Sequence, residues 1–177
     1  PAAPPRRSPA GRPRPCPVGA ERRSRRPSFG PGRAPAVRDG RAGAHNIVPS
    51  STGAAIAVTK AIPDLVGKFD GISLRVPVIA GSIADVTFIA RRNTTVEEVN
   101  NILTKAATED RWKPVFAVTN EPLVSSDILG SAQASIADLS LTRVVGGNLV
   151  KVMAWYDNEM GYTHALVEHV ARLATHI

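Results

Sequence analysis

The chain has 177 residues, a formal net charge of +7, fifteen prolines and one cysteine. That length suits one well-buried domain, with or without a tail. A single cysteine excludes an intramolecular disulfide framework, and no apolar run approaches the length of a membrane-spanning helix.

Residues 1–37 are Pro, Arg, Ala, Gly and Ser with almost nothing to bury, and ten of the fifteen prolines lie there. Such a stretch cannot offset the entropy of ordering itself and is expected to be a disordered arm. Charge follows the same division. Residues 1–44 hold eleven of the twenty-two basic residues, all Arg, against Glu21 and Asp39, while residues 45–177 hold eleven basic and thirteen acidic residues. An electrostatic case for nucleic-acid binding therefore applies to the arm alone. No apolar stretch follows the arginines, and the proline density opposes an amphipathic transit helix, so a cytoplasmic protein is expected.

After Ala44 the texture changes. Residues 46–49 read as a short strand stopped by Pro49. Ser50, Ser51, Thr52 and Gly53 offer caps for a helix over 54–62, itself stopped by Pro63. Residues 74–78 and 83–90 read as strands. Thr94 or Thr95 caps the clearest helix, with Glu97 and Glu98 as capping-box partners and an apolar stripe of Val96, Val99, Ile102, Leu103 and Ala106. Strands follow at 115–119, 134–137, 141–145 and 149–155, the last two joined by Gly146-Gly147-Asn148 as a hairpin. A final helix from about Glu159 is expected to bury Tyr162, Leu166, Val170 and Leu173. Strands often succeed one another without an intervening helix. That pattern is α+β with a mainly antiparallel sheet, and the Gly-x-Gly-x-x-Gly fingerprint of a dinucleotide-binding Rossmann domain is absent.

Three stretches carry candidate chemistry. In Pro49-Ser50-Ser51-Thr52-Gly53-Ala54-Ala55, hydroxyls and a glycine precede a helix, where backbone N–H groups and the helix dipole favour an anion. Taken alone, this is also what an ordinary N-cap looks like. In Leu74-Arg75-Val76-Pro77, an arginine in an apolar run calls for a carboxylate or a phosphate partner. In Trp155-Tyr156-Asp157-Asn158-Glu159-Met160-Gly161-Tyr162, aromatics and polar groups meet at a strand-to-helix junction, where Asp157 or Asn158 suits a cap.

In this order the three stretches resemble the glyceraldehyde-3-phosphate dehydrogenase family. Residues 44–55 are similar to the family's segment after its substrate loop, Ile62-Pro63-Asp64-Leu65-Val66-Gly67-Lys68-Phe69-Asp70-Gly71 to its next turn, Leu74-Arg75-Val76-Pro77 to its next strand, and residues 155–162 to its C-terminal signature. The resemblance runs from Arg38 or Arg41 to the end and implies that residues 38–177 are part of the C-terminal catalytic domain. It implies that Thr52 and Gly53 line a site for inorganic phosphate and that Arg75 reaches between that site and the phosphate of an aldehyde substrate. Asn158 would hold the carboxamide of NAD or NADP, and Tyr162 would flank the nicotinamide. Arg41 matches a basic loop position, whereas Asp39 falls where the family is basic.

The family's reaction uses a cysteine thiolate as nucleophile, assisted by a histidine. Cys16, between Pro15 and Pro17, is a poor nucleophile candidate. His45, His164, His169 and His176 read as surface or packed residues. No catalytic residue and no metal site are therefore assigned. The resemblance implies glycolytic oxidation and phosphorylation of glyceraldehyde 3-phosphate by a homo-oligomeric complete enzyme, with this chain alone inactive and binding no cofactor. A different reading is a non-catalytic protein whose Arg-rich arm binds nucleic acid or another polyanion. That arm has Phe29 as its one aromatic, against the interleaved aromatics of single-strand binders. A frame change in a GC-rich gene is another origin for its composition.

Overall fold

The computed structural model describes residues 44–174. They all belong to the unit Val37–Ile177. The expected arm over residues 1–37, and His176, lie outside the described residues.

Two sheets form, and both follow from the apolar runs. The first pairs strand β1 (Val48–Ser51) antiparallel with strand β2 (Ile72–Arg75). Between them lie helix α1 (Ala54–Ala61) and a single 3-10 turn at Pro63–Leu65. Here β1 does not stop at proline: it passes through Pro49 to Ser51. A two-stranded pair leaves every strand one open edge, where a missing N–H costs no ladder bond. By contrast β2 starts two residues earlier than expected and ends at Arg75. Pro77 removes a donor and restricts the residue before it.

The second sheet has the order β3-β6-β5-β4, built from β3 (Ser82–Ile89), β4 (Phe116–Thr119), β5 (Ser135–Val145) and β6 (Leu149–Tyr156). β6 pairs antiparallel with both β3 and β5, and β4 pairs parallel with β5. The α+β architecture with a mainly antiparallel sheet is thus what the sequence pattern led one to expect. Gly146 and Gly147, with φ of 60° and 82°, make the hairpin turn between β5 and β6.

The two strands expected at 134–137 and 141–145 are one. Its register shifts between Asp138 and Arg143. Asp138, at the irregularity, is 2% exposed and both its carboxylate oxygens are engaged. Asp138 Oδ1 accepts from the Ser140 amide at 3.1 Å and from the Ser140 hydroxyl at 2.6 Å, and Oδ2 accepts from Trp155 Nε1 at 3.1 Å. A buried carboxylate with such partners can sit within a strand irregularity.

Helix α2 (Val96–Thr108) lies on β4 and β5. Thr95 is its cap, accepting from the Glu98 amide at 3.1 Å. The capping box is only half formed. Glu98 turns its carboxylate to Arg92 and to the Thr94 hydroxyl instead of the Thr95 backbone, and a guanidinium is the stronger partner.

Helix α3 (Met160–Ala174) leaves the sheet after β6. The expectation that it buries its apolar stripe is wrong: Tyr162 is 69% exposed, and Leu166, Val170 and Leu173 are also exposed. The spacing did mark one apolar face, but no described element covers it.

Candidate functional site

Pairing β1 with β2 sets Val48 opposite Arg75 and Ser50 opposite Ser73. Directly opposed residues of an antiparallel pair point to the same face, and so do residues two apart. One face of the ribbon therefore carries Arg75, Ser73 and Ser50, with Thr52 following two residues on. The Ser50 hydroxyl is buried and has no hydrogen-bond partner among the described residues. Thr52 is half-buried, while Gly53 and Arg75 are exposed.

At the start of α1 the Ala54 amide donates to Thr52 Oγ1 at 3.1 Å. Gly53 occupies the cap position without a side-chain bond. A methyl group at Gly53 would meet nothing within 4 Å, so the approach to the helix N-terminus is open. The first amides of a helix lack partners within it; here Thr52 Oγ1 already takes the Ala54 amide. The Arg75 backbone sits at the far end of the ribbon from that point. Val48, its partner, lies four residues before Thr52, about 13 Å along an extended strand.

The second region is the start of α3. Of the two cap candidates, the structure selects Asp157, which is 6% exposed. Its Oδ1 accepts from the amides of Glu159 at 2.8 Å and Met160 at 3.0 Å, and its Oδ2 accepts from the Gly130 amide at 2.9 Å. These three N–H donors, led by Gly130, hold the carboxyl below the usual carboxylate range. Asn158 is left exposed at the tip. Tyr162 is four residues on, hence on the same side of the helical turn as Asn158. Gly161 is buried because a Cβ there would lie 2.7 Å from the Gln133 carbonyl oxygen. Asn158 and Tyr162 are both exposed at the start of α3, and Arg75 pairs with Val48, at the other end of the β1–β2 ribbon from Ser51.

Two features escaped the sequence. Gly130 sits in a loop with no chemical motif, and nothing in its neighbours announces its bond to Asp157. The other is a cavity of about 560 Å³ beside α2, lined by Val86, Phe88, Val99, Ile102, Val150 and Val152 among others. It lies where α2, packed on β4 and β5, leaves Val86 and Phe88 of β3 exposed. Alternation over residues 83–90 marked only the β3 part of this lining.

The fold is an α+β domain with a mainly antiparallel sheet, and among the described residues it contains no Rossmann fold. Residues 29–158 match the family described as glyceraldehyde 3-phosphate dehydrogenase, C-terminal domain. The glyceraldehyde-3-phosphate dehydrogenase of Clostridium acetobutylicum is 45% identical over 148 residues, covering 82% of this chain and 43% of that protein. The Streptococcus pyogenes enzyme is 46% identical over 151 residues, covering 82% of this chain and 44% of that protein. The Zymomonas mobilis enzyme is 44% identical over 138 residues, covering 78% and 41%. The chain belongs to the glyceraldehyde-3-phosphate dehydrogenase family, through its C-terminal domain. It spans less than half the length of the curated relatives it matches. The family match begins at Phe29, inside the stretch read as an arm, and ends at Asn158, before Tyr162.

Proposed function

We propose that this chain is the phosphate- and nicotinamide-facing part of an enzyme that, in complete form, oxidises and phosphorylates glyceraldehyde 3-phosphate. That enzyme would act in the cytoplasm as a homo-oligomer. In this reading Thr52 and Gly53 hold inorganic phosphate at the N-terminus of α1. Arg75 serves the phosphate carried by the aldehyde substrate, on the side facing the first anion. The separation between Arg75 and Thr52 along the ribbon fits two anions better than one shared anion.

NAD or NADP, when bound, supplies the hydride acceptor. The residues of this chain bind and orient: the exposed amide of Asn158 offers both a donor and an acceptor to a carboxamide, and Tyr162 offers a ring face beside it. The nucleophile and the cofactor fold are assigned to the rest of the complete enzyme, so this chain alone gives no turnover.

The observation that carries the reading is the ribbon face on which Arg75, Ser73 and the unpartnered Ser50 hydroxyl lead toward an open helix start. Inorganic phosphate is titrated into the 177-residue chain and into its Arg75→Ala variant, followed by backbone amide shifts. We expect shifts at Thr52, Gly53 and Arg75 in the first protein and loss of the Arg75 response in the second. Identical responses would sink the assignment of Arg75.

A further inference from the structure

Asp157 does more than cap a helix. A cap needs one acceptor oxygen, and Oδ1 alone serves the Glu159 and Met160 amides. The other oxygen, Oδ2, reaches 27 residues back to the Gly130 amide at 2.9 Å. That bond ties the first turn of α3 to the loop that contains Gly130.

The loop has its own anchors. Ile128 is almost fully buried. Asp127 Oδ2 accepts from the Val124 amide at 2.7 Å, and the Ser131 amide donates to the Ile128 carbonyl at 3.0 Å. On its far side the loop meets Gly81, where an added Cβ would lie 2.7 Å from the Ser125 carbonyl oxygen. Gly81 immediately precedes β3. The loop is therefore braced against the sheet, and Asp157 fastens the start of α3 to that brace. One helical turn further on, Gly161 lies against the Gln133 carbonyl and Ala134. Residue 157 and residue 161 are both pinned to the 130–134 segment, and Asn158 and Tyr162 are the exposed residues immediately after each pin.

We infer that Asp157 is a positioning residue: its bond to Gly130 fixes the orientation in which the first turn of α3 presents Asn158 and Tyr162. The inference rests on the proposed function for what those two residues face. It explains why a carboxylate stands here. Three backbone N–H groups converge on the side chain, and a carboxylate offers acceptors at both oxygens. Asparagine offers one acceptor oxygen and one NH2 group. With its oxygen turned to the helix, an asparagine side chain at this position would set a donor against the Gly130 N–H.

The full 177-residue chain, its Asp157→Asn variant and its Asp157→Ala variant are compared by hydrogen–deuterium exchange and by NMR, with no nucleotide present. In Asp157→Asn the α3 amides should keep their protection, because the cap oxygen remains. Exchange in the 126–131 segment should rise roughly tenfold, the scale of losing one bond to a charged group. The side-chain NH2 signals of Asn158 and the ring signals of Tyr162 should move with it. Asp157→Ala should lose both the helix-start and the loop protection. If Asp157→Asn leaves the loop and the Asn158 signals unchanged, the residue is a cap only and the inference fails. It also fails if Asp157→Asn unwinds α3 as far as Asp157→Ala does. Because no ligand is used, this outcome is independent of whether phosphate shifts Thr52 and Arg75, so the two readings stand or fall separately.

Discussion

Arg75 lies opposite Val48, at the end of the β1–β2 pair farther from Thr52 and Gly53. On the proposed reading, an anion at the start of α1 and an anion on the guanidinium are separate occupants. Gly53→Ala should leave the fold intact, since the new methyl meets no atom within 4 Å and the residue has a negative φ. The methyl would instead occupy the approach to the helix start. In a phosphate titration, Gly53→Ala should abolish shifts at Thr52 and Ala54 and keep those at Arg75. Arg75→Ala should do the reverse. One variant removing both sets would contradict two separate positions.

Gly161→Ala tests the docking of α3. The added carbon would sit 2.7 Å from the Gln133 carbonyl oxygen and 3.1 Å from the Ala134 Cα, and backbone cannot swing aside as a side chain can. Overpacking of this kind costs about 1–3 kcal/mol, so the midpoint of thermal unfolding should fall by several degrees, at roughly 2–4 °C per kcal/mol. Gly53→Ala is the matched control. Equal midpoints for the two variants would refute the close approach.

Glu98 gives a pH signature. The bond from Arg92, then that from the Thr94 hydroxyl, holds its carboxyl down from 4.5 to about 2. A depressed folded-state value means that its contribution is complete above 4.5 and is lost as pH falls toward 2. Arg92 is largely exposed, so the contribution is small and weakens with salt. Glu98→Gln should remove the part of the acid loss between pH 4.5 and 2 and leave the neutral midpoint nearly unchanged. An identical acid profile in both proteins at low salt would count against the pairing.

The exposed stripe of α3 and the exposed Val86 and Phe88 beside α2 should make the isolated chain associate. Sedimentation should show concentration-dependent species, and a dye for apolar surface should bind. Leu166→Glu should reduce association without lowering the unfolding midpoint, because Leu166 is already exposed. A sharp monomer with no dye binding would refute this.

The isolated chain should show no NAD-dependent oxidation of glyceraldehyde 3-phosphate, and Cys16→Ser should change nothing. Turnover that disappears in Cys16→Ser would make Cys16 a nucleophile after all.

Where a pattern depends on neighbours in sequence, it was legible. The alternation of β3, the stripe and Thr95 cap of α2 and the glycine turn before β6 are local, and each formed as expected. What was hidden depends on distance. The fate of Pro49 turned on β1 having a single partner. The union of two strands into β5 turned on Trp155 reaching Asp138. The exposure of Tyr162 and Leu166 turned on no described element lying over α3, and an apolar stripe cannot say whether it is covered. For the site, residue types marked Thr52, Gly53, Arg75, Asn158 and Tyr162 as candidates. The strand register that separates Arg75 from Thr52, and the choice of Asp157 over Asn158 as cap, required the pairing itself.

The position of β6 has a consequence for how the polypeptide matures. β6 joins β3 to β5, and Ser82 pairs with Tyr156, yet β6 is the last of the described strands to leave the ribosome. Until it emerges, β3 has no partner among the described strands and must wait through the synthesis of α2, β4 and β5. Long-range pairing of this kind is slow, and an unpaired strand is open to wrong partners in the interval. The β5–β6 hairpin, closed by Gly146 and Gly147, is the local event that ends the wait. Its formation sets the moment at which the nascent sheet can close, so lesions in that turn should lower the yield of folded chain more than they lower the stability of molecules already folded.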